Sequence, residues 1–274
     1  MKVLITGAIG NVGMAVIKSL NKLPNNLKIV AGIRDFDLDK LKLTGYKIDF
    51  VQFDFMDATT YKLALENCDI LFLLRPPQIS EVSTYFKPLI ETARAVNVKH
   101  IIFLSVQGVE KSSIIPHHKI EKLIVESKIP YTFLRSAYFM QNFLGTLHKD
   151  LVEKNKIFLP TGKAKFTLVD VADIGEVVAT IICNANKYRN KVFELTNTEK
   201  LSFGEMAMQL SSELKKKIGY ESPSLFKLLG KTKRKSVIYV HYGCDDVALF
   251  SSISKRTSNY RLYKNDYWKS AKHI

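Results

Sequence analysis

Cysteine is scarce in this chain, and its placement excludes two kinds of small-protein architecture. Three cysteines, Cys68, Cys183 and Cys244, are spread over 274 residues and form no Cys-x-x-Cys pair. A disulfide framework or a structural zinc site needs cysteines at close, paired spacing. We therefore interpret the three as packing residues and expect no metal site.

Long apolar runs are also missing. No apolar stretch approaches the ~20 residues that span a bilayer, and the apolar N-terminus is interrupted at Gly7, too early for the core of a signal peptide. Hydrophobic residues make up 46% of the chain, which is typical of a globular protein with a sizeable core. We expect a cytoplasmic protein that has no membrane partner.

Acidic residues are outnumbered by basic ones, 26 to 41, which gives a formal charge of +15. The densest basic runs, residues 215–217 and 231–235, lie in the C-terminal part of the chain. No aromatic-interleaved RNA-binding motif and no helix-turn-helix signature accompanies them. A solvated basic face is therefore favoured over nucleic-acid binding.

The most informative stretch is the start, MKVLITGAIGNVGM, where an apolar strand runs into glycines at positions 7, 10 and 13. Residues 11–23 place their apolar side chains on one helical stripe, so the glycines occupy a strand-to-helix turn. Gly7 suits the tight turn, Gly10 lets backbone amides approach a pyrophosphate, and Gly13 lets the helix pack on the strand. Free N–H groups at the helix start attract anions, which favours dinucleotide binding over an ordinary turn, although G-x-x-G-x-x-G departs from the standard G-x-G-x-x-G. The predicted cofactor contacts in this turn are Gly7, Ile9, Gly10, Asn11 and Val12.

The choice of cofactor is predicted from the end of the second strand, LKIVAGI at 27–33, which is followed by Arg34 and Asp35. At this position an acidic residue binds the adenosine ribose, whereas an arginine accommodates the 2′-phosphate of NADP. The planar guanidinium favours NADP(H), while Asp35 keeps NAD(H) open. Arg34 could also be an ordinary surface residue.

Further apolar strands are predicted at 48–53, 68–74, 100–105 and 129–135, with helical segments between them. This alternation predicts an α/β fold, a Rossmann-type doubly wound parallel sheet whose ligands bind beyond the carboxyl ends of the strands. Asp54 could reach an adenine amino group, and Asp57 could instead serve the next helix as a cap or turn residue. The candidate cofactor contacts at these strand ends are Asp54, Phe55, Leu74, Arg75, Pro76, Ser105 and Val106.

The regular alternation weakens past Asn142. A helix at 169–183, a strand at 192–195 and a helix at 203–214 are predicted, the last with Ser202 and Glu205 in a capping box. We predict a Rossmann dinucleotide-binding domain at 1–155 and a smaller C-terminal α+β substrate-binding region at 156–274. The chain is free to cross between them more than once.

Several stretches spanning residues 6–182 together resemble the NmrA-like branch of the atypical short-chain dehydrogenases/reductases, especially its NAD(P)H-dependent quinone and azo-type reductases. They are TGAIGNVG, Arg34 after the second strand, LFLLRPP, FLSVQGV, HHKIEKLIVESKIPYTFLRSAYFMQNF and FTLVDVADIGEVVATII. The resemblance implies an NAD(P)H-dependent reductase that acts on a small molecule such as a quinone. It also implies that Leu74, Ser105, His117, Tyr138 and Asn142 surround the nicotinamide and the substrate.

One departure from the wider family bears on catalysis. Short-chain dehydrogenases typically use Tyr-x-x-x-Lys on the helix after the fifth strand, where the Lys lowers the Tyr pKa. That helix begins HHKIEKL here, and the only Tyr-x-x-x-Lys in the chain is Tyr260 to Lys264 in the basic tail. We therefore predict direct hydride transfer without the dyad, with solvent or His117 supplying the proton.

The substrate is expected to stack on Tyr138 and to be oriented by Asn142. Simpler interpretations stay open, in which His117 is a surface residue at a helix start, Phe139 a core residue and Asn142 a helix cap. The alternative function is a non-catalytic NADP-sensing regulator that binds a protein partner. A nucleotide-sugar isomerase or dehydratase is disfavoured by the missing dyad. The exact substrate and the formation of a homodimer are left open.

Overall fold

The computed structural model describes residues 1–24 and 26–224. It divides into two compact units: the first is made of Met1–Ser136 and Val171–Leu195, and the second contains Ala137–Asp170 and residues 196–224. The first boundary thus lies before the expected residue 155, and within the described residues the chain returns to the first unit at Val171–Leu195. The roles predicted for the two regions stay predictions. The basic run at 231–235, Cys244 and the Tyr260 to Lys264 pair lie outside the described residues.

The first unit is built on a parallel sheet with seven strands in the described part of the chain. The strands are β1 (Lys2–Ile5), β2 (Lys28–Ile33), β3 (Asp49–Gln52), β4 (Ile70–Leu74), β5 (His100–Val106), β6 (Tyr131–Ser136) and β11 (Lys191–Leu195). Their order is β11-β6-β5-β4-β1-β2-β3. Because β1 pairs with β2 on one side and β4 on the other, the winding reverses between β1 and β4, which makes this the topological switch point. The predicted Rossmann-type doubly wound sheet is confirmed.

Helices connect these strands. They are α1 (Asn11–Lys22), α2 (Phe36–Lys42), α3 (Thr59–Leu65), α4 (Val82–Ala95), α5 (Pro116–Glu126) and α7 (Val171–Cys183). Gly175 of α7 lies against α1 so closely that a Cβ on it would come within 2.6 Å of the Ala15 carbonyl oxygen. Position in the chain places α7 and β11 in the C-terminal region, but both belong to the first unit.

A large core fills the space between the sheet and three of its helices. Leu71 and Phe103 of the sheet and Phe86 and Ile120 of α4 and α5 are fully buried in it. Burial of each such side chain stabilises the fold by about 1.5–3 kcal/mol relative to exposure. Cys68 lies in the same core, and burial raises the pKa of its thiol to about 11, in keeping with a packing role.

The second unit is smaller and of mixed α and β structure. Its elements are β7 (Tyr138–Phe139), α6 (His148–Lys154), β8 (Lys156–Phe158), β9 (Lys165–Phe166), β10 (Leu168–Val169), β12 (Leu201–Ser202), α8 (Phe203–Glu213) and β13 (Gly219–Glu221). The strands form three pairs, β10-β7, β12-β9 and β13-β8, around the fully buried Phe203. The predicted capping box of α8 is present, since the Ser202 hydroxyl accepts from the Glu205 N–H and the Glu205 carboxylate accepts from the Ser202 N–H. No helix among the described residues is long and apolar enough to span a membrane.

Candidate functional site

The glycine turn joins the carboxyl end of β1 to α1. Gly7 has φ +60°, in the left-handed region that favours glycine, and its carbonyl accepts from the Gly10 N–H at 3.0 Å. A Cβ on Gly13 would lie 2.3 Å from the Gly7 carbonyl oxygen, so only glycine lets α1 come this close to the turn. These are the turn and packing roles that the spacing predicts for Gly7 and Gly13.

Gly10 is exposed and less crowded than Gly13. A Cβ on it would meet only the Gly7 carbonyl oxygen, at 3.3 Å, among the described atoms. Gly7, Gly10 and Asn11 are exposed, and the first turn of α1 carries no acidic side chain. The first N–H groups of α1 therefore present a partial positive charge that fits a pyrophosphate. Val12 is 7% exposed, which leaves its backbone amide as the group available to a ligand.

Thr6 links β1 to β4 at the switch point, a role that its sequence does not predict. Its buried hydroxyl donates to the Phe72 carbonyl at 3.1 Å and accepts from the Leu74 N–H at 2.9 Å. As a result the Leu74 side chain lies 3.2 Å from the position of a Cβ on Gly7. The available signal was a hydroxyl residue directly after an apolar strand.

Arg34 and Asp35 follow β2, next to the glycine turn, and their side chains are arranged differently. The Arg34 side chain is exposed. The Asp35 carboxylate caps α2, where one of its oxygens accepts from the N–H groups of Asp37 and Leu38, both at 3.0 Å. One oxygen of Asp35 is therefore already engaged in a helix cap, and this arrangement weakens the argument for NAD(H).

The loop after β3 contains Asp54, Phe55 and Asp57, whose side chains make different contacts. Asp57 is a local turn residue, as one interpretation expects, because its carboxylate accepts from the N–H and the hydroxyl of Thr59 at 3.0 and 2.6 Å. Asp54 accepts from the Met56 N–H at 2.9 Å. The Phe55 ring is a core group, 6% exposed and 5.3 Å from the Phe86 ring, and the Phe55 carbonyl accepts from the Tyr61 hydroxyl at 2.6 Å. Within the described contacts, only the Phe55 N–H is left for a cofactor.

Arg75 braces the loop after β4. Its guanidinium donates to the carbonyls of Pro77 at 3.2 Å and Ile79 at 2.8 Å, and its Nε donates to His117 Nε2 at 3.3 Å. Pro76, another predicted cofactor contact, is half-buried in the same loop. Arg75 therefore stabilises this loop. Its predicted contact with the cofactor stays a prediction.

His117 is buried rather than a surface residue, which corrects the simpler interpretation. It is 8% exposed and packs against the Phe103 ring. Burial, with the charge of Arg75 as a second cause, lowers the pKa of His117 well below its usual value. Because Nε2 accepts from Arg75, we assign the proton of the neutral ring to Nδ1, which has no hydrogen-bond partner among the described residues. A neutral ring in this state is a poor proton donor.

Ser105 lies at the end of β5, beside β4. It is 1% exposed, and its hydroxyl has no hydrogen-bond partner among the described residues. Native proteins rarely leave such a buried group unsatisfied, so a bound ligand is one natural partner for it. The next residue, Val106, is half-buried. Within the described residues, no cluster of three His, Cys, Asp or Glu side chains is placed to hold a metal ion.

Tyr138 and Asn142 belong to the second unit, whereas His117 belongs to the first. The Tyr138 ring packs edge-on against Phe203, with ring centroids 5.4 Å apart. Asn142 lies inside the short 3₁₀ helix Met140–Phe143, whose N-cap is Phe139, so it is not the cap of that helix. Phe139 is half-buried rather than a core residue.

The sheet order, with a glycine turn at the switch point, defines a Rossmann-type protein. Comparison with known proteins narrows the class further. The model of the NmrA-like family matches residues 1–269, and the chain belongs to this family.

Its relatives include proteins with quite different descriptions. Prestalk A differentiation protein A of Dictyostelium discoideum is 32% identical over 221 residues, which cover 81% of this chain and 72% of that protein. Quinone oxidoreductase 2 of Escherichia coli (strain K12) is 27% identical over 226 residues, 81% of this chain and 78% of that protein. Among solved structures, the NADPH-dependent quinone oxidoreductase of E. coli complexed with NADPH matches with a TM-score of 0.76 and 25% identity, covering 92% of this chain and 88% of that one.

Proposed function

We propose that this protein is an NADP(H)-dependent reductase of quinones or similar electrophilic small molecules. The observation that carries the proposal is the pair at the end of β2, where Arg34 is exposed and Asp35 is engaged in capping α2. A guanidinium at this position suits a 2′-phosphate, and a carboxylate with one oxygen held in a cap is less free to bind the ribose. The reductase activity is inferred from the quinone oxidoreductase relative.

The described residues fit the cofactor part by part. The open amides after Gly10 would bind the pyrophosphate, Arg34 the 2′-phosphate, and Asp54 with the Phe55 backbone the adenine. Leu74 and the unsatisfied Ser105 hydroxyl would lie at the nicotinamide end of the site. When bound, NADPH supplies a hydride to the electrophilic atom of the substrate.

The proton that accompanies reduction is assigned to solvent. His117 is neutral and buried, and its Nε2 is occupied by Arg75. We extend the proposal to the substrate, for which Tyr138 and Asn142 would supply the contacts. An aromatic face and an amide that both donates and accepts suit a planar quinone.

The test is the oxidation of NADPH by the purified protein across a panel of quinones and azo dyes, with NADH in parallel. We expect turnover of at least one quinone, faster with NADPH than with NADH. If the protein binds NADPH but reduces no acceptor, the reductase proposal fails and the sensory alternative gains support. If it binds neither dinucleotide, both functions fail.

A further inference from the structure

We propose that Asp39 is a positioning residue for recognition of the 2′-phosphate. Its carboxylate fixes the backbone from which Arg34 projects, and so contributes to the preference for NADP(H) over NAD(H). This inference rests on the proposed function, since it places the 2′-phosphate at Arg34.

Asp39 lies on α2 and is only 5% exposed. One of its carboxylate oxygens accepts from the Arg34 N–H at 3.3 Å and from the Asp35 N–H at 3.2 Å. From the other side, the Gln52 side-chain amide donates to the Arg34 carbonyl at 2.8 Å. Both peptide groups of Arg34 are thereby held by side chains.

Fixing the backbone matters because the arginine itself is long and exposed. A guanidinium recognises phosphate through a planar pair of hydrogen bonds, which depend on direction as well as distance. An anchored Cα reduces the conformational freedom that Arg34 must lose when it binds the phosphate. Recognition should therefore weaken when the anchor is removed, even though Arg34 itself is unchanged.

Asp39 also keeps Asp35 in its capping position. The Asp35 N–H is bound by Asp39, while the Asp35 carboxylate accepts from the first N–H groups of α2. Without Asp39, the Asp35 carboxylate would be freer to turn toward the ribose hydroxyls, where an acidic residue selects NAD. Loss of Asp39 is thus expected to disfavour the 2′-phosphate in two ways.

The charge of Asp39 acts in the opposite direction, since a carboxylate near a phosphate repels it. Lys42, whose ammonium lies 3.4 Å from the second carboxylate oxygen of Asp39, offsets part of that charge. Asp37 provides a matched control. It lies on the same helix and has the same charge, but it is exposed and its carboxylate has no hydrogen bond to Arg34 among the described contacts.

The experiment measures binding of adenosine 2′,5′-bisphosphate and of 5′-AMP by calorimetry, which requires no catalysis. Wild type, Asp39→Ala, Asp39→Asn and Asp37→Ala are compared by the ratio of the two affinities. We expect Asp39→Ala to lower this ratio by about five- to tenfold, the effect of a lost hydrogen-bonded anchor. Asp39→Asn keeps an acceptor oxygen and should retain most of the ratio, and Asp37→Ala should leave it unchanged or raise it slightly.

Several outcomes would overturn the inference. If Asp39→Ala and Asp37→Ala raise the ratio equally, Asp39 acts only through its charge. If Asp39→Ala weakens both ligands by the same factor, its role is merely structural. Should Asp39→Ala fail to fold, Gln52→Leu tests the anchor from the other side, and an unchanged ratio there counts against the proposal. A wild-type protein that binds both ligands equally would instead refute the cofactor preference on which the inference rests.

Discussion

Gly10 and Gly13 show at the scale of single residues how the same amino acid serves two purposes. Gly13 is required by the protein's own packing, because a Cβ there would lie 2.3 Å from the Gly7 carbonyl oxygen. At Gly10 the same addition would meet one described atom, the Gly7 carbonyl oxygen, at 3.3 Å, a tight contact that a shift of a few tenths of an ångström would relieve. A glycine that the fold requires less strictly than Gly13, at the start of a helix, favours a role in ligand binding.

Gly10→Val should therefore fold and fail to bind the cofactor. Its φ of −81° and ψ of 167° are ordinary extended values that valine adopts readily. The branched side chain would stand between the α1 amides and the pyrophosphate, and we expect at least a hundredfold loss of NADPH affinity, about 3 kcal/mol. Calorimetry measures the affinity and circular dichroism the fold. Normal binding by the folded variant would refute the assignment of the glycine turn.

Arg34→Ala tests cofactor preference directly. A charge-assisted contact to phosphate contributes about 1.5–3 kcal/mol, so the preference for NADPH over NADH should fall by roughly 10- to 100-fold, with NADH affinity little changed. Lys40→Ala, on the neighbouring helix, is the control for loss of a positive charge. An unchanged preference in Arg34→Ala would show that the 2′-phosphate binds elsewhere.

At the scale of elements, a side-chain cap marks the start of α2 and of α8. α2 is absent from the sequence prediction because it is short and its Leu38 and Leu41 are 61% and 72% exposed, so no apolar stripe marks it. The helix is nevertheless stabilised at its start by the Asp35 cap. α8 is predicted correctly because Ser202 and Glu205 form a recognisable capping box.

Removal of that cap by Ser202→Ala should lower the free energy of unfolding by about 1 kcal/mol. The control is Ser212→Ala, an exposed position inside α8, where alanine favours the helix and stability should hold or rise slightly. Urea denaturation measures both. Equal effects of the two substitutions would show that the capping box does not stabilise α8.

Two buried histidines, His100 and His117, should make the stability of the whole molecule depend on pH. Burial, followed by the charge of Arg189, lowers the pKa of His100 to about 4, and the pKa of His117 is lowered in the same direction. Since His100 Nε2 lies 2.8 Å from the Thr132 hydroxyl, which itself donates to the Tyr188 carbonyl, the neutral ring donates there. Protonating either ring requires a charge in the interior.

Stability should accordingly fall on acidification. Between pH 6.5 and pH 4 the unfolded chain binds a proton at His100 that the folded chain does not, so the free energy of unfolding decreases as pH falls through this window. The His100 contribution is about 2–3 kcal/mol. Urea denaturation at several pH values should show a smaller slope for His100→Asn than for wild type. The exposed His148→Asn serves as control, and equal slopes in all three proteins would contradict the assignment.

The sequence by itself determined the features that depend on neighbouring residues. The period of apolar side chains predicts the strands of the sheet and most helices, Gly7 and Gly13 predict the turn, and Ser202 with Glu205 predicts a helix start. These follow from local geometry and hydrogen bonds within a few residues. The order of the elements was sufficient to predict the doubly wound class.

Only the tertiary structure decided which distant groups meet. β11 pairs with β6 through backbone hydrogen bonds, which carry no side-chain signature, and α7 returns to the first unit against α1. The tertiary structure likewise shows that His117 is buried and contacts Arg75, which reverses its interpretation as a surface residue. It also shows that Asp35 caps α2, which narrows the choice of cofactor. The protonation of a side chain and its availability to a ligand depend on burial and on partners far away in the chain, and neither is encoded in local spacing.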